Sequence, residues 1–304
     1  MKNVLVIGST CVDVIIRVDH LPRTEENIHP DSQRFAVGGC AYNVANILGR
    51  AGAEMTFVTP VGRQGVFGGF VRSHLEALGF DYVDLPDAQN GCCYCFVERN
   101  GERTFVSVHG AEYTFDPEWM KRYTEEKFDY AYVCGLEIEE KTGERLVEYL
   151  ESAQAQIGTI VYAPGPRGMR IKKELTDRLF ALKPILHLNE SEAKALAGID
   201  DLDNALHRLY RRTGNAVVAT RGAQGVRWNE ADELFSAEGV LAEHIVDTIG
   251  AGDAHCGAML LGLCRDMSLK ESLELANRVS SEVVQTDGAT LPDEMLLKLV
   301  APRE

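Results

Sequence analysis

Four short apolar runs alternate with helical stretches through the middle of the chain, and this alternation constrains the fold more than any other feature. The runs are 130–133, 159–162, 185–188 and 216–220, with helical spacing around 143–155, 170–182 and 191–212 between them. A strand that is apolar throughout is buried on both faces, and a helix after each one returns the chain to begin a parallel neighbour. Residues 3–7, ending at Gly8, and 55–59 are further runs of the same kind. Between them the apolar positions 41, 44, 45, 47, 48 and 51 follow a helical period and stop at Gly52. A further helix is expected over 66–78, ending at Gly79. The pattern predicts an α/β fold with a mainly parallel central sheet and helices on both faces.

Two regions fit that sheet poorly. Residues 12–18 are β-rich and carry Asp13, 19–33 are polar with Pro22 and Pro30, and 35–37 resume an extended pattern up to Gly38-Gly39. Residues 91–97 and 104–108 are strand-like and joined by Glu98-Arg99-Asn100-Gly101-Glu102, where Asn-Gly is a hairpin signal. These regions are expected to form a separate β flap. No repeat, low-complexity tract or linker divides the chain, so one domain over 1–304 is expected.

Composition mainly excludes. In 304 residues, 45% apolar and 25% charged content suit a globular protein with a substantial core. A net charge of −15 argues against general binding to nucleic acid or anionic membranes, which need clustered Lys and Arg. No apolar run has the length of a membrane span, and no signal peptide is visible before the first strand. The eight cysteines are scattered, and Cys92, Cys93 and Cys95 lack the second pair of a zinc pattern. A reduced, cytoplasmic protein is expected.

The chemistry concentrates in a few turns. Val246-Asp247-Thr248-Ile249-Gly250-Ala251-Gly252-Asp253-Ala254 leads into an apolar helical segment over 254–264. Small residues at a helix entrance let an anion approach free N–H groups. Asp253 would repel that anion, so its presence suggests a chemical task. Gly38-Gly39-Cys40-Ala41-Tyr42-Asn43 is a second such entrance, with Asn43 offering a donor and an acceptor to hydroxyl groups; a plain tight turn before a helix is the alternative. Asp13 reads either as the acceptor of a diol's hydrogen bonds or as an exposed strand carboxylate. Asn189-Glu190-Ser191-Glu192 follows an expected strand. Asn189 and Glu192 suit the waters around Mg²⁺ and also a capped helix start, two readings that are compatible. Thr220-Arg221-Gly222-Ala223-Gln224-Gly225 follows another strand and would admit a nucleotide. The chain contains no Gly-Lys dipeptide, no Gly-x-Gly-x-x-Gly after the first strand and no Gly-x-Ser-x-Gly. These absences argue against a Walker-type phosphate loop, a nicotinamide-binding dehydrogenase and a serine hydrolase.

Asp-Thr-Ile-Gly-Ala-Gly-Asp at 247–253 resembles the C-terminal signature of the ribokinase-like (PfkB) family of carbohydrate and nucleoside kinases, and Gly38-Gly39 with Asn43 and Ala45 resembles its N-terminal signature. Asp13, Asn189-x-x-Glu192 and Thr220-x-Gly-x-x-Gly225 fall in the expected order, so the resemblance runs nearly end to end. It implies an α/β core with a small β lid, here from about 14–37 and 91–109, and transfer of the ATP γ-phosphoryl group to a primary alcohol. It further implies Asp253 as the base and Gly250, Ala251 and Gly252 as the anion hole. Asp13, Gly38, Gly39, Asn43 and Glu137 would hold the acceptor, and Asn189, Thr220, Gly222 and Gly225 the ATP. Glu192 would organise Mg²⁺ through water. Asp247, Ile249, Thr286 and Gly288 would take a monovalent cation such as K⁺.

Departures from the family pattern blur the acceptor. Ribokinases often carry Lys where this chain has Cys40, and fructokinase-like members often show Asp-Pro-Asn-x-Arg where it has Ala163-Pro164-Gly165-Pro166-Arg167. Arg167 is either a phosphate contact or a solvated loop residue, and His255 is expected as a helix residue rather than a second base. The acceptor is expected to be a sugar, with a nucleoside as the alternative and a non-catalytic metabolite sensor as a distant one. Tyr94, Phe96 and Phe105 would serve a nucleoside as a stacking wall; they also suit a lid–lid homodimer contact or ordinary strand packing.

Overall fold

All six apolar runs enter a single sheet, joined by two strands that the periodicity did not mark. The structure, a computed structural model, describes residues 1–99, 102–286 and 288–301. In chain order the elements are β1 (Asn3–Ile7), β2 (Cys11–Val18), β3 (Ser32–Gly38), α1 (Cys40–Arg50), β4 (Glu54–Val58), β5 (Pro60–Gln64), α2 (Gly65–Leu78), β6 (Val83–Gln89), β7 (Cys92–Glu98), β8 (Arg103–Val108), β9 (Phe128–Cys134) and α3 (Gly135–Glu139). There follow α4 (Gly143–Ser152), β10 (Ile157–Ala163), α5 (Lys173–Ala181), β11 (Ile185–Asn189), α6 (Glu190–Ala197), α7 (Leu202–Thr213), β12 (Val217–Thr220), β13 (Val226–Glu230), β14 (Glu233–Ala237), α8 (Ala251–Cys264), α9 (Leu269–Val283) and α10 (Asp293–Val300). The chain forms two compact units, one from Met1–Gly8, Cys40–Val58 and Thr114–Glu304, the other from Ser9–Gly39 and Thr59–Tyr113.

The first unit holds the eight-stranded sheet, in the order β14-β13-β12-β11-β10-β9-β1-β4. Pairing is parallel from β4 through to β12 and antiparallel for β13 and β14. The chain steps from β1 to β4 in one direction, and from β9 through β10, β11 and β12 in the other. Right-handed crossovers therefore place α1 on one face and α4 to α7 on the opposite one. The order reverses between β1 and β9, and in open parallel sheets the crevice at the carboxyl ends of such strands is where ligands bind. The helical stretch around 191–212 comprises two helices. Gly198, in the left-handed conformation at φ 65°, ends α6, and Asp201 caps α7 by accepting from the Asn204 N–H.

On the α1 face, α8 packs against both α1 and α9. Every residue of α8 from Ala254 to Cys264 is buried, so the helix has no polar face and depends on close neighbours rather than on amphipathic orientation. Glycine permits that closeness. A Cβ at Gly257 would lie 3.1 Å from Ile47 Cβ, and one at Gly262 would lie 2.6 Å from Ser272 Oγ. Among the described residues no helix is long and apolar enough to cross a membrane.

The second unit contains a four-stranded sheet in the order β3-β2-β7-β8, a parallel β5-β6 pair, and α2. It includes both segments of the expected flap and also residues 59–90. β7 and β8 pair antiparallel, as the hairpin signal requires; Asn100 and Gly101 of that signal lie outside the described residues. Buried polar side chains tie its loops together. Asn90 Oδ1 accepts from Gly62 N–H at 2.6 Å, and Glu112 accepts from the N–H groups of Gly91 and Gly110 at 2.8 and 2.9 Å.

The α8–α9 contact yields a test. Gly262→Val should destabilise by about 1–3 kcal/mol, because the added carbons overpack a closed interface. Thermal unfolding of the variant measures this, and an unchanged melting temperature would show that α9 yields freely at Ser272.

Candidate active site

The turn expected to precede a helix at Ala254 is the first turn of that helix. Gly250, at φ 73°, is the N-cap of α8 and Ala251 its first residue, which puts Asp253 third. The sequence reading placed the start three residues too late because the small residues at 250–252 carry no apolar period. A Cβ at Gly250 would lie 2.3 Å from Ala289 Cβ, so glycine is required by space as well as by conformation. At Gly252 a Cβ would meet nothing within 4 Å. The first-turn N–H groups have no acceptor within the helix, and they mark the positive end of its dipole.

Asp253 is partly exposed, yet its carboxylate is set deep enough for burial to push its pKa above the usual aspartate range. Two hydrogen bonds oppose that rise, from Asn43 and from the Cys40 thiol. Asn43, in the first turn of α1, donates from Nδ2 to Asp253 Oδ2 at 2.8 Å. Its own Oδ1 is buried and accepts no hydrogen bond among the described residues. A buried amide oxygen rarely goes unpaired, so this atom is a ready acceptor for a ligand hydroxyl beside the carboxylate.

Glu137 joins the same cluster. It is 2% exposed in α3, and a Cβ at Gly8, where β1 ends, would lie 2.7 Å from its Oε1. Cys40 and Cys134 lie against one another, and both feel the Glu137 and Asp253 charges. The cluster sits at the carboxyl ends of β1 and β9, where the strand order reverses.

In the second unit the Asp13 carboxylate packs onto Gly38. A Cβ at Gly38 would lie 2.1 Å from Asp13 Oδ2, and one at Gly39, at φ 107°, would lie 2.6 Å from the Ser9 carbonyl. The Gly-Gly pair therefore serves the approach of Asp13 and of the 9–11 backbone. Strand register also separates the three aromatics proposed as one stacking wall. Tyr94 pairs with Val14 and Val106, and Phe96 with Ile16 and Thr104, whereas Phe105 pairs with Cys95 and so aligns with Ile15. Side chains alternate faces, which leaves Phe105 on the face of Asp13 and puts Tyr94 and Phe96 on the other. Asp13 instead shares its cross-strand row with Ala36, Cys93 and Ser107.

Asn189 and Glu192 form a capping box at the start of α6. Asn189 Oδ1 accepts from Glu192 N–H at 2.8 Å, and Glu192 Oε2 accepts from Asn189 N–H at 3.0 Å. Burial raises the Glu192 pKa, the Asn189 N–H lowers it, and the nearby Asp253 charge adds to the rise. Among the described residues no group of three or more His, Cys, Asp or Glu forms a metal cage. A lone carboxylate fits Mg²⁺, which is commonly held through waters and substrate phosphates. Thr220 ends β12 with its hydroxyl on the Leu188 carbonyl at 3.4 Å. Gly222 faces open space, whereas a Cβ at Gly225 would lie 2.2 Å from the Ala237 carbonyl, so Gly225 serves the packing of the chain after β14. Asp247 is buried and accepts from Ile249 N–H at 2.7 Å. The N–H groups of Val246 and Asp247 reach the Val284 carbonyl, just before Thr286; Gly288 is left-handed at φ 103°.

Arg167 forms a two-point ion pair with Glu139, at 2.5 and 2.7 Å, and its side chain stays partly exposed. His255 is buried in α8 against His187 and Asn277, as a helix residue rather than a base. Sequence reading missed Gly8, Cys134, His187 and Ala289, which are drawn in only by tertiary packing.

Residues 1–295 match the pfkB family carbohydrate kinases. The chain is 33% identical over 303 residues to the "Uncharacterized sugar kinase YegV" of Escherichia coli (strain K12), covering 97% of this chain and 94% of that protein. In fold it resembles Arabidopsis thaliana ribokinase complexed with ribose and ATP, with a TM-score of 0.80 at 18% identity over 98% of each chain. It also resembles Burkholderia thailandensis nucleoside kinase in complex with inosine, with a TM-score of 0.76 at 20% identity over 94% of this chain and 92% of that one. The fold is therefore the ribokinase-like one, and the chain belongs to the pfkB family of carbohydrate kinases, phosphotransferases that act on a hydroxyl group.

Proposed function

We propose that the protein transfers the γ-phosphoryl group of ATP to a primary hydroxyl of a sugar, with Asp253 as general base and the Gly250-Ala251-Gly252 turn as anion hole. The observation that carries this reading is the pairing of Asp253 with Asn43, whose buried Oδ1 still lacks a donor. A substrate hydroxyl donating there holds the acceptor beside the carboxylate. Asp253 takes the proton of the primary hydroxyl, whose oxygen forms a bond to the γ-phosphorus, and the bond to the β–γ bridging oxygen breaks to release ADP. The N–H groups at the positive end of α8 stabilise the charge on the transferring phosphoryl.

In this reading the segments at about 14–37 and 91–109 are the β lid, and Asp13, Gly38, Gly39 and Glu137 hold the acceptor. Asn189, Thr220, Gly222 and Gly225 line the nucleotide. Glu192 organises the waters of Mg²⁺, whose chemistry is to neutralise phosphate charge. Asp247, Ile249, Thr286 and Gly288 belong to a monovalent-cation loop. A nucleoside acceptor is less well supported, because Tyr94 and Phe96 lie on the face opposite Asp13, and of the three aromatics only Phe105 shares its face.

Asp253→Asn should lower turnover by about 10²–10⁴-fold, the usual contribution of a positioned base, with ATP affinity nearly unchanged. Stopped assays with titration calorimetry separate the two quantities, and wild-type turnover would remove Asp253 from the mechanism.

The base must be ionised, and burial raises its pKa above the ordinary 3.8. A raised pKa means that the active form is lost earlier as pH falls. The acidic limb of kcat/KM should therefore lie above 3.8, and a limb at or below that value would contradict a desolvated base.

ADP release over a panel of free sugars, sugar phosphates and nucleosides tests the acceptor. A pentose or hexose should be active and the nucleosides silent; activity confined to a nucleoside would overturn the sugar assignment.

A further inference from the structure

His255 lies two residues after Asp253 in α8, and His187 lies two residues before Asn189 in β11. Both are buried, and Nε2 of His187 lies 2.9 Å from Nδ1 of His255. On its other side, His255 Nε2 lies 3.1 Å from Asn277 Oδ1 in α9. Asn277 Nδ2 donates to the Glu238 carbonyl, just after β14, at 2.9 Å. This last bond sets the direction of the whole row. A carbonyl only accepts, so Asn277 must turn its amide N–H toward Glu238 and its oxygen toward His255. His255 then donates from Nε2 and, as a neutral ring, keeps a bare Nδ1, to which His187 donates from its own Nε2. Burial favours the neutral form of both rings, lowering His187 well below its usual range and His255 to about 4.

We propose that His187, His255 and Asn277 are positioning residues, forming a one-directional hydrogen-bond row that fixes α8 against β11 and so sets the spacing between Asp253 and Glu192. The proposal rests on Asp253 being the base. Asp253 and Glu192 feel each other's charge, so repulsion between two carboxylates works to part the elements that carry them. From Ala254 to Cys264, His255 is the only side chain able to hydrogen-bond through nitrogen or oxygen. The rest of that stretch is apolar or small and fills space without fixing a position along the helix. The row spans β11, α8, α9 and the chain after β14, and it closes in only one polarity. Apolar contacts at the same places would tolerate sliding.

The test replaces His255 in two ways. Glutamine can donate from Nε2 to Asn277 and accept at Oε1 from His187, whereas phenylalanine fills the space and breaks both bonds. Kinetics are read as ADP release from Mg²⁺·ATP with an equimolar mixture of free pentoses and hexoses, well below each variant's melting temperature. His255→Phe should lose about tenfold or more in kcat, with the KM for ATP little changed, since a misplaced base costs turnover rather than nucleotide binding. His255→Gln should stay within about threefold of wild type in kcat. Equal losses in the two variants, or full activity in His255→Phe, would overturn the proposal. His187→Phe breaks the row from its other end and supplies the same readout if His255→Phe does not fold. The double variant should show no further loss, and additive losses would mean two independent packing effects. Imidazole ¹⁵N spectra of the wild type should show both rings protonated at Nε2, and Nδ1–H on either ring would also overturn the row. Asp253→Asn assayed alongside separates the two readings. An active Asp253→Asn removes the base assignment, whereas an inactive one beside a fully active His255→Phe removes only the positioning row.

Discussion

A carboxylate held partly out of water at the first turn of a buried helix is the constraint to which the surrounding structure answers. Burial pushes the pKa of Asp253 up, and the hydrogen bonds it accepts push back. The positive end of α8 favours a negative group in its first turn, and Asn43 and Cys40 donate to the carboxylate. These groups come from α1 and α8, which meet because glycines in α8 allow close approach to α1 and α9. The helix in turn has no polar face, so it is stable only inside a large α/β core. Core size, glycine placement and the chemistry of one side chain are thus linked.

The glycines show how one residue type answers different demands. Gly250 supplies a left-handed cap in a space already filled by Ala289. Gly38 needs no unusual dihedral; its missing side chain makes room for the Asp13 carboxylate. Gly225 makes room for the chain at the end of β14, whereas Gly222 faces open space. A motif that prints these glycines alike conceals which of them answer to conformation, which to packing and which to neither.

Much of the architecture was legible because the first unit follows one rule repeated. Apolar runs alternate with helical periods, and each run became a strand of the large sheet. Asn189 and Glu192 were also readable, since a capping box is local in sequence. The helix start at Ala251 was not, because Gly, Ala and Gly carry no period. Partners distant in sequence were invisible as well. Arg167 meets Glu139, 28 residues away, and His187 meets His255, 68 residues away. Nothing local to Arg167 distinguishes a salt-bridged arginine from one that waits for phosphate. The faces taken by the aromatic residues of the second unit were hidden for a different reason. Alternation within β7 was visible, but the face of Phe105 relative to Asp13 depends on the register of three strands, which no single strand encodes.

Cys40 carries the electrostatic consequence furthest. A lysine at this place, as the related ribokinases often have, would set an ammonium near Asp253 and pull its pKa down, since an opposite charge favours ionisation. The thiol instead offers one weak hydrogen bond, and its own neighbour is the thiol of Cys134. Burial then remains the leading influence on Asp253, and it acts in the opposite direction. Such a carboxylate accepts a proton more readily than a lysine-paired one, and it is protonated at a higher pH.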